Sequence, residues 1–207
     1  MIKLHHLNQS RSKRIIWLLE ALDLNYEIIP YQRDAETFLA PPELKAIHPL
    51  GKAPVIEEDG QVITESGAIT EYLIDKYGAD KLAPARGTRA YTEYLQWLHF
   101  AESSAILPLL LKMFVAKDGA KTNFLADYAD SEAMKVLSYF NDCLAGKSYL
   151  VEARLTGADI MMSFIVELVQ MYGLGEQFPN IQHYGELLSA HPGYQRANAL
   201  EQQYNAG

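Results

Sequence analysis

The 207-residue sequence contains a single cysteine, Cys143. One cysteine excludes an internal disulfide, a CxxC redox pair and a zinc site built from cysteines. Basic residues are also few, because 18 lysines and arginines stand against 26 aspartates and glutamates, which gives a formal net charge of −8. This charge argues against a large nucleic-acid interface and against polybasic docking on anionic membranes.

Long apolar runs are missing as well. The longest candidate, 105–115, contains Pro108 and Lys112 and is shorter than the ~18 residues that a membrane-spanning helix needs. No signal peptide is indicated at the N-terminus, where Met1 leads directly into a strand-like run. Hydrophobic residues make up 49% of the chain and charged residues 21%, which is typical of a globular protein. We therefore expect a soluble, cytoplasmic protein.

The first 30 residues change their hydrophobic period twice. A strand-like run, 2–7, is followed from Lys13 by apolar residues at helical spacing, and a second strand-like run occupies 26–30. The helical stripe comprises Ile15, Leu18, Leu19 and Leu22. Together these segments predict a βαβ unit.

The turn between the first strand and its helix carries two serines, Ser10 and Ser12. Backbone N–H groups at a helix entrance have no intrahelical partner, and the helix dipole is positive there. The turn is therefore arranged to hold an anion, which can be a carboxylate, a phosphate or a thiolate.

The segment after the βαβ unit completes a small domain over 1–78. Pro41 opens a short helix that ends at Ile47, and two short apolar runs flank the turn 58–60 as a hairpin. A further helix begins near Ser66 and is stopped by Gly78. The order βαβ, short helix, ββα predicts an α/β domain.

Residues 79–88 show no periodicity and contain proline and glycine, so they are predicted to be an interdomain linker. The remainder, 89–207, is predicted to be helical throughout. Thr156 and Asp159 have the spacing of a capping box at the start of one of its helices. The predicted helices are 89–116 with a kink at Pro108, 123–145, an apolar one over 160–169, one from Pro179 to near Ala190, and a last one over 194–204.

Four short sequence motifs lie at the turns between these predicted elements. They are Ser10 in the first turn, Gly51-Lys52-Ala53-Pro54-Val55, Glu65-Ser66-Gly67-Ala68-Ile69 and Thr156-x-x-Asp159. In this order and spacing the chain resembles the cytosolic glutathione transferases over its whole length. The stretch 31–34 with 41–43 is most similar to a microbial subgroup related to fungal transferases. The resemblance implies a thioredoxin-like α/β domain followed by an all-α helical bundle.

The resemblance also implies an activity. The chain is expected to conjugate glutathione, its co-substrate, to small apolar electrophiles in detoxification, without a metal, and as a homodimer. Two alternatives remain open at this point. One is a glutathione-dependent disulfide or peroxide reductase, and the other is a non-catalytic transferase-like regulator that binds proteins.

The family's reaction requires glutathione as a thiolate, and Ser10 is our first candidate for the group that stabilises it. A free thiol has a pKa of ~8.5, and lowering it by ~2 units takes ~2.7 kcal/mol. One hydrogen bond to a charged acceptor supplies ~1.5–3 kcal/mol, and a helix N-terminus adds ~0.3–1. One hydroxyl at the helix entrance is therefore sufficient. Ser12, Asn8 and a backbone amide are the alternatives.

The resemblance assigns the rest of the glutathione site to two of these motifs. Ala53, Pro54 and Val55 form a peptide clamp in which the proline is cis and the Val55 backbone pairs with the peptide. Ser66 binds the γ-glutamyl carboxylate of glutathione, and Glu65 faces its γ-glutamyl ammonium group.

Other polar residues complete these expectations. Lys52 is the expected partner of the glycine carboxylate of glutathione. The electrophile pocket is placed at Ser103, Ser104 and Leu107, before the expected kink. His5 and His6 are adjacent on a strand, so they point to opposite faces and are interpreted as packing residues rather than a metal pair.

Overall fold

The computed structural model describes residues 1–119 and 121–205. The chain forms two compact units, one made of Met1–Ala83 together with the C-terminal segment from Ser189, and one made of Pro84–Leu188. The end of the predicted helical domain, 206–207, lies outside the described residues.

The first unit is built on a four-stranded sheet of order β2-β1-β3-β4. Its strands are β1 (Ile2–Leu7), β2 (Tyr26–Tyr31), β3 (Val55–Glu58) and β4 (Gln61–Thr64). β1 and β2 are parallel, whereas β3 is antiparallel to both β1 and β4. The predicted βαβ unit and hairpin are therefore confirmed, and the unit is a small mixed α/β domain of thioredoxin-like topology.

Helices cover this sheet. They are α1 (Ser12–Ala21), α2 (Leu44–Ile47), α3 (Ser66–Tyr77) and α4 (Ala79–Leu82), with α10 (Pro192–Asn205) added from the end of the chain. The predicted stripe on α1 is fully buried at Ile15, Leu18 and Leu19. Packing of α1 between the sheet and α10 therefore fixes the position of its N-terminus.

The second unit is entirely helical over its described residues. Its helices are α5 (Arg89–Glu102), α6 (Ile106–Asp118), α7 (Leu125–Cys143), α8 (Gly157–Met171) and α9 (Pro179–Ser189), with a 3-10 turn at Gly175–Gln177. The fold class expected from the sequence, a thioredoxin-like domain followed by a helical bundle, is confirmed.

The prediction of one helix over 89–116 with a kink at Pro108 was wrong. The chain breaks earlier, at Ser103, whose φ of −115° and ψ of −88° end α5, and α6 begins at Ile106. Pro108 is then the third residue of a new helix. Its missing N–H costs nothing there, because the first N–H groups of a helix have no intrahelical partner.

Within the described residues, one segment, Arg89–Asp118, is long and apolar enough to cross a membrane by length and composition alone, with a mean hydropathy of 1.4. The break at Ser103 divides it into helices of 14 and 13 residues, each shorter than a typical span.

The predicted linker, 79–88, contains the one-turn helix α4. The division between the compact units, after Ala83, falls inside this linker. The last helix belongs by its contacts to the first unit, where it packs on α1. The hydrophobic pattern had given no indication of that packing.

The capping box at the start of α8 is present as predicted. The Asp159 carboxylate accepts hydrogen bonds from the Thr156 N–H at 2.7 Å and hydroxyl at 2.8 Å, from the Leu150 N–H at 2.9 Å and from the Tyr184 hydroxyl at 2.6 Å. Asp159 is 0% exposed, and this burial raises its pKa although the four donors oppose the shift. The residue therefore connects three segments of the helical unit.

We predict that Asp159→Asn lowers the free energy of unfolding by about 2–4 kcal/mol. Each carboxylate oxygen of Asp159 accepts from two donors. The amide replaces one of these oxygens by a donor, so one or two buried N–H or O–H groups lose their partner, at ~1–3 kcal/mol for each group. Denaturant unfolding measures the change. Asp142→Asn, the same substitution at an exposed site, should stay within about 0.5 kcal/mol of the parent. Equal effects of the two substitutions would contradict this role of Asp159.

Candidate functional site

Three segments meet at one edge of the sheet. His5 of β1 pairs with Val55 of β3, and Val55 pairs with Thr64 of β4. Because β3 is antiparallel to its neighbours, the end of β1, the start of β3 and the end of β4 lie at the same edge. The serine turn, the Pro54 loop and the entrance of α3 therefore converge there, although they are far apart in sequence.

Ser10 closes the turn that leads into α1. Its hydroxyl has two acceptors at 2.7 Å, the Leu7 carbonyl and Ser12 Oγ, and it accepts a hydrogen bond from the Ser12 N–H at 3.1 Å. The side chain is 9% exposed. The neighbouring residue, Gln9, has a φ of +49°, a conformation uncommon for a residue with a side chain. Ser10 therefore lies at the surface edge of a tightly bonded turn.

Ser12 is the first residue of α1 and is 0% exposed. Its Oγ accepts a hydrogen bond from the Leu7 N–H at 3.2 Å and lies 2.8 Å from His6 Nδ1 and 3.0 Å from the Leu7 carbonyl. Its partners thus come from the end of β1 and from the turn. Of the two serines, Ser10 is the one nearer the surface.

Asn8 is bonded to the chain that follows β2. The Asn8 N–H donates to the Tyr31 carbonyl at 3.2 Å, and Asn8 Oδ1 accepts from the Arg33 N–H at 2.9 Å. The Arg33 guanidinium also donates to the carbonyls of Asn8 and Gln9, each at 3.1 Å. These bonds hold the outer part of the turn against the β2 end of the sheet.

The Ala53–Pro54 peptide bond is cis, as expected from the resemblance. Pro54 and Val55 are buried, whereas Lys52 is exposed beside them. The preceding Gly51 has a φ of +58°, and a Cβ there would lie 2.8 Å from Lys45 Cγ. Glycine is therefore required at this position by both backbone conformation and space.

The entrance of α3 has an unusual backbone. Glu65 precedes the helix with a φ of +65°, and Ser66 is its first residue. Non-glycine residues in this conformation are strained and concentrate at functional sites. The buried Ser66 hydroxyl accepts a hydrogen bond from Arg14 Nη2 at 2.8 Å.

Arg14 was not singled out by sequence reasoning. It lies on α1 between polar and apolar positions and is buried. Its guanidinium brings a positive charge to the start of α3, where N–H groups of the helix already favour an anion. A basic residue next to the apolar stripe was the one available signal.

The predicted electrophile residues are partly brought together. Ser103 and Ser104 line an open cavity of about 410 Å³ on α5 and the turn after it, and the Ser103 hydroxyl donates to the His99 carbonyl at 2.7 Å. Leu107 lies outside this lining and is 56% exposed. The remaining lining residues are Thr92, Leu95, Gln96, His99 and Phe100.

His5 and His6 point to opposite faces of β1, as predicted. His5 contacts the Tyr31 hydroxyl at 2.9 Å and Glu57 Oε1 at 2.7 Å. His6 instead contacts Ser12 and, at 2.9 Å from its Nε2, Glu201 Oε2 of α10. Among the residues that the structure describes, no group of three or more histidines, cysteines and carboxylates is placed to hold a metal ion.

Glu201 was also missed by sequence reasoning, because nothing in the pattern of α10 indicates that this helix returns to the first turn. Its Oε1 accepts a hydrogen bond from the Gln9 N–H at 2.6 Å. Burial alone would raise the pKa of Glu201, but the His6 and Gln9 contacts outweigh it and leave that pKa below its ordinary value. The ionised carboxylate is therefore the favoured form.

Glu201 should make stability depend on pH in one direction. Because its pKa is lowered in the folded protein, its contribution is present above the ordinary value of 4.5 and is lost as the pH falls through the folded value. We therefore predict that the difference in unfolding free energy between the parent and Glu201→Gln narrows as the pH falls below 4.5. Denaturant unfolding at several pH values measures it.

Glu186→Gln, the same substitution on an exposed side chain of α9, is the matched control. A difference between the parent and Glu201→Gln that stays constant, or widens toward acid, would show that the carboxylate is not stabilised by its neighbours in the fold.

Comparisons with known proteins agree with this geometry. Residues 1–75 match the family model described as glutathione S-transferase, N-terminal domain, and residues 101–192 match the one described as glutathione S-transferase, C-terminal domain. Glutathione S-transferase 1 of Saccharomyces cerevisiae is 31% identical and covers 97% of this chain and 97% of its own length.

Solved structures show the same fold. A glutathione S-transferase from Actinobacillus pleuropneumoniae is 39% identical, with a TM-score of 0.90 over 98% of this chain and 93% of its own. The glutathione transferase URE2P8 from Phanerochaete chrysosporium, solved with oxidised glutathione, has a TM-score of 0.81 at 24% identity, over 100% of this chain and 97% of its own.

Proposed function

Because the chain belongs to the glutathione S-transferase family, we propose that it conjugates the thiolate of glutathione to small apolar electrophiles. The observation that carries the proposal is the convergence of three segments at one sheet edge, where a serine turn, a cis-proline loop and the entrance of α3 adjoin one another. Residues 1–78 are the proposed glutathione domain, 79–88 the linker and 89–207 the electrophile domain.

Each part of glutathione has a proposed partner at this edge. The γ-glutamyl carboxylate binds the N–H and hydroxyl of Ser66, with the Arg14 guanidinium 2.8 Å from that hydroxyl, and Glu65 faces the ammonium group. The backbone of Val55, after Ala53 and Pro54, pairs with the peptide as an added strand. Lys52 is exposed and long enough to reach the glycine carboxylate.

The sulfur is then placed at the N-terminus of α1, beside Ser10. The Ser10 hydroxyl is the less buried of the two serines, and its hydrogen can turn from the Leu7 carbonyl or Ser12 to an incoming thiolate. A charge-assisted hydrogen bond and the helix dipole together supply the ~2.7 kcal/mol that a two-unit fall in the thiol pKa requires. Ser12 and Asn8 remain the alternative contacts.

The electrophile is proposed to bind in the helical unit at the cavity lined by Ser103 and Ser104. The surrounding Leu95 and Phe100 side chains offer it apolar surface, and Leu107 is proposed at its margin. In the cell we propose a cytoplasmic homodimer acting in detoxification, for which the family resemblance is the support.

Two measurements test the proposed function. Glutathione at ~100 times its dissociation constant should stabilise the protein by ~2.7 kcal/mol, seen as a rise in melting temperature. Turnover should be faster with an aryl halide than with a small disulfide or a peroxide as the second substrate. No thermal shift would point to a non-catalytic regulator, and faster disulfide or peroxide turnover to a reductase.

Ser10→Ala should lower the conjugation rate at pH 7 by no more than about 25-fold. Ionisation of a thiol falls from ~75% to ~3% when its pKa returns from ~6.5 to ~8.5, and no larger benefit was available to lose. Steady-state kinetics with saturating glutathione measures the loss. A loss of several thousandfold would show that Ser10 has a different role.

Ser66→Ala should act on the other end of glutathione. Removal of a hydroxyl that contacts a carboxylate costs ~1.5–3 kcal/mol of binding, which corresponds to a KM for glutathione raised about 10- to 150-fold, with kcat nearly unchanged. A fall in kcat at constant KM would place the sulfur, rather than the carboxylate, near Ser66.

A further inference from the structure

A continuous chain of polar contacts runs inward from Ser10. Ser10 Oγ lies 2.7 Å from Ser12 Oγ, Ser12 Oγ lies 2.8 Å from His6 Nδ1, and His6 Nε2 lies 2.9 Å from Glu201 Oε2. Ser12 and His6 are 0% exposed, and both ends of the chain are 9% exposed. All four residues belong to the same compact unit. The glutathione site described above gives no role to His6 or Glu201.

Which atom donates in each contact of this chain follows from the chemistry of Glu201 and His6. Glu201 Oε1 accepts a hydrogen bond from the Gln9 N–H. Glu201 Oε2 and His6 Nε2 have no hydrogen-bond partner among the described residues, and they face each other at an ion-pair distance of 2.9 Å. A carboxylate only accepts, so the proton of a neutral His6 ring belongs on Nε2, which leaves Nδ1 as an acceptor.

The serine hydroxyls then point inward. Ser12 Oγ lies closer to His6 Nδ1, at 2.8 Å, than to the Leu7 carbonyl, at 3.0 Å. Its hydrogen is therefore assigned to the contact with His6. Ser12 Oγ in turn accepts from the Leu7 N–H at 3.2 Å and can accept from the Ser10 hydroxyl at 2.7 Å. Two hydroxyls in series therefore lead from the surface of the turn to an imidazole that can take up a proton.

We propose that Ser10, Ser12 and His6, held by Glu201, form a proton relay that accepts the proton of the glutathione thiol, with His6 as an internal base. The proposal rests on the proposed function, because it requires the thiol to lie at Ser10. It adds a base to an arrangement in which the hydroxyl and the helix entrance were otherwise sufficient.

The transfer balances at each step. The thiol S–H bond breaks and sulfur keeps the electron pair; its proton goes to Ser10 Oγ as the Ser10 proton moves to Ser12 Oγ and the Ser12 proton moves to His6 Nδ1. The products are a thiolate and an imidazolium. After the conjugate leaves, the proton returns along the same hydroxyls to solvent.

The same transfer reverses the hydrogen bonds of the chain. Imidazolium Nδ1–H donates to Ser12, Ser12 donates to Ser10, and the Ser10 hydroxyl hydrogen now points outward at the thiolate. This removes a difficulty of a Ser10 hydrogen bond acting alone, since before the transfer that hydrogen is directed at Ser12 or at the Leu7 carbonyl.

One carboxylate lies against the His6 ring. Glu201 supplies a carboxylate from α10, where the Tyr204 ring also lies 6.0 Å from the His6 ring, centre to centre. Lys13 of α1 and Arg33, after β2, are the cations that act on the same carboxylate. An imidazolium at His6 would therefore face a carboxylate oxygen at 2.9 Å.

Glu201→Gln is the most direct test, because it removes the charge and keeps an oxygen for the Gln9 N–H. We expect the ionisation of enzyme-bound glutathione, followed by thiolate ultraviolet absorbance, to shift upward by about one pH unit. With saturating glutathione, kcat/KM for the electrophile should then fall about fivefold at pH 6.5 and rejoin the parent within about twofold at pH 9. The KM for glutathione should change less than about twofold.

His6→Asn keeps a polar group near Ser12 but provides neither a base nor a contact to Glu201, so it should show the same shift in the pH profile. Ser12→Ala interrupts the chain and leaves the His6–Glu201 pair in place. The double variant Ser12→Ala with Glu201→Gln should be no worse than the more impaired single variant, because groups of one relay are not additive. Gln203→Ala, an exposed change on α10, is the control.

The outcomes separate the two proposals. A parent protein that neither binds nor conjugates glutathione contradicts the proposed function. If the parent conjugates glutathione and the variants keep its pH profile but lose thermal stability, the relay is contradicted. The four residues would then only hold α10 against the turn. If Glu201→Gln does not fold, the pH profile of Ser12→Ala decides: an unshifted profile overturns the relay, and a shifted one supports it.

Discussion

The site depends on the backbone N–H and carbonyl of Leu7. Its N–H donates to Ser12 Oγ at 3.2 Å, and its carbonyl has the hydroxyls of Ser10 and Ser12 at 2.7 and 3.0 Å. These contacts end β1 and start α1 within four residues, so the helix N-terminus faces the sheet edge. Because β1 pairs with β3 just before this turn, the Pro54 loop adjoins it. An anion held there meets backbone N–H groups and a hydroxyl together.

Most of the fold followed from local patterns. The switch between strand-like and helical periods marked the βαβ unit, and Glu58-Asp59-Gly60 marked the hairpin, because these signals act within a few residues. The capping box of Thr156 and Asp159 was equally local. The break at Ser103 was misplaced because proline is disruptive only inside a helix, and sequence alone did not show that Pro108 stands in the first turn of a new one.

The candidate site was only partly predictable. The resemblance proposed Ser10, Pro54 and Ser66, since each stands in a short motif of fixed spacing; the cis bond before Pro54 was confirmed, and the contacts of all three with glutathione stay predictions. Arg14 and Glu201 were not, because their roles depend on long-range packing: Arg14 reaches Ser66 from another helix, and Glu201 reaches Gln9 over 192 positions of chain. His6 was interpreted as a packing residue from strand alternation. The alternation of the two histidines across the strand was confirmed, but His6 pairs with the buried Glu201 carboxylate instead of only packing.

Titration of glutathione bound to the unmodified protein tests the central claim most directly. Thiolate absorbance should appear with an apparent pKa near 6.5, about two units below the ~8.5 of a thiol in water. A bound thiol that ionises near 8.5 would contradict the account, because neither the helix entrance nor the serine turn would then be stabilising the sulfur anion.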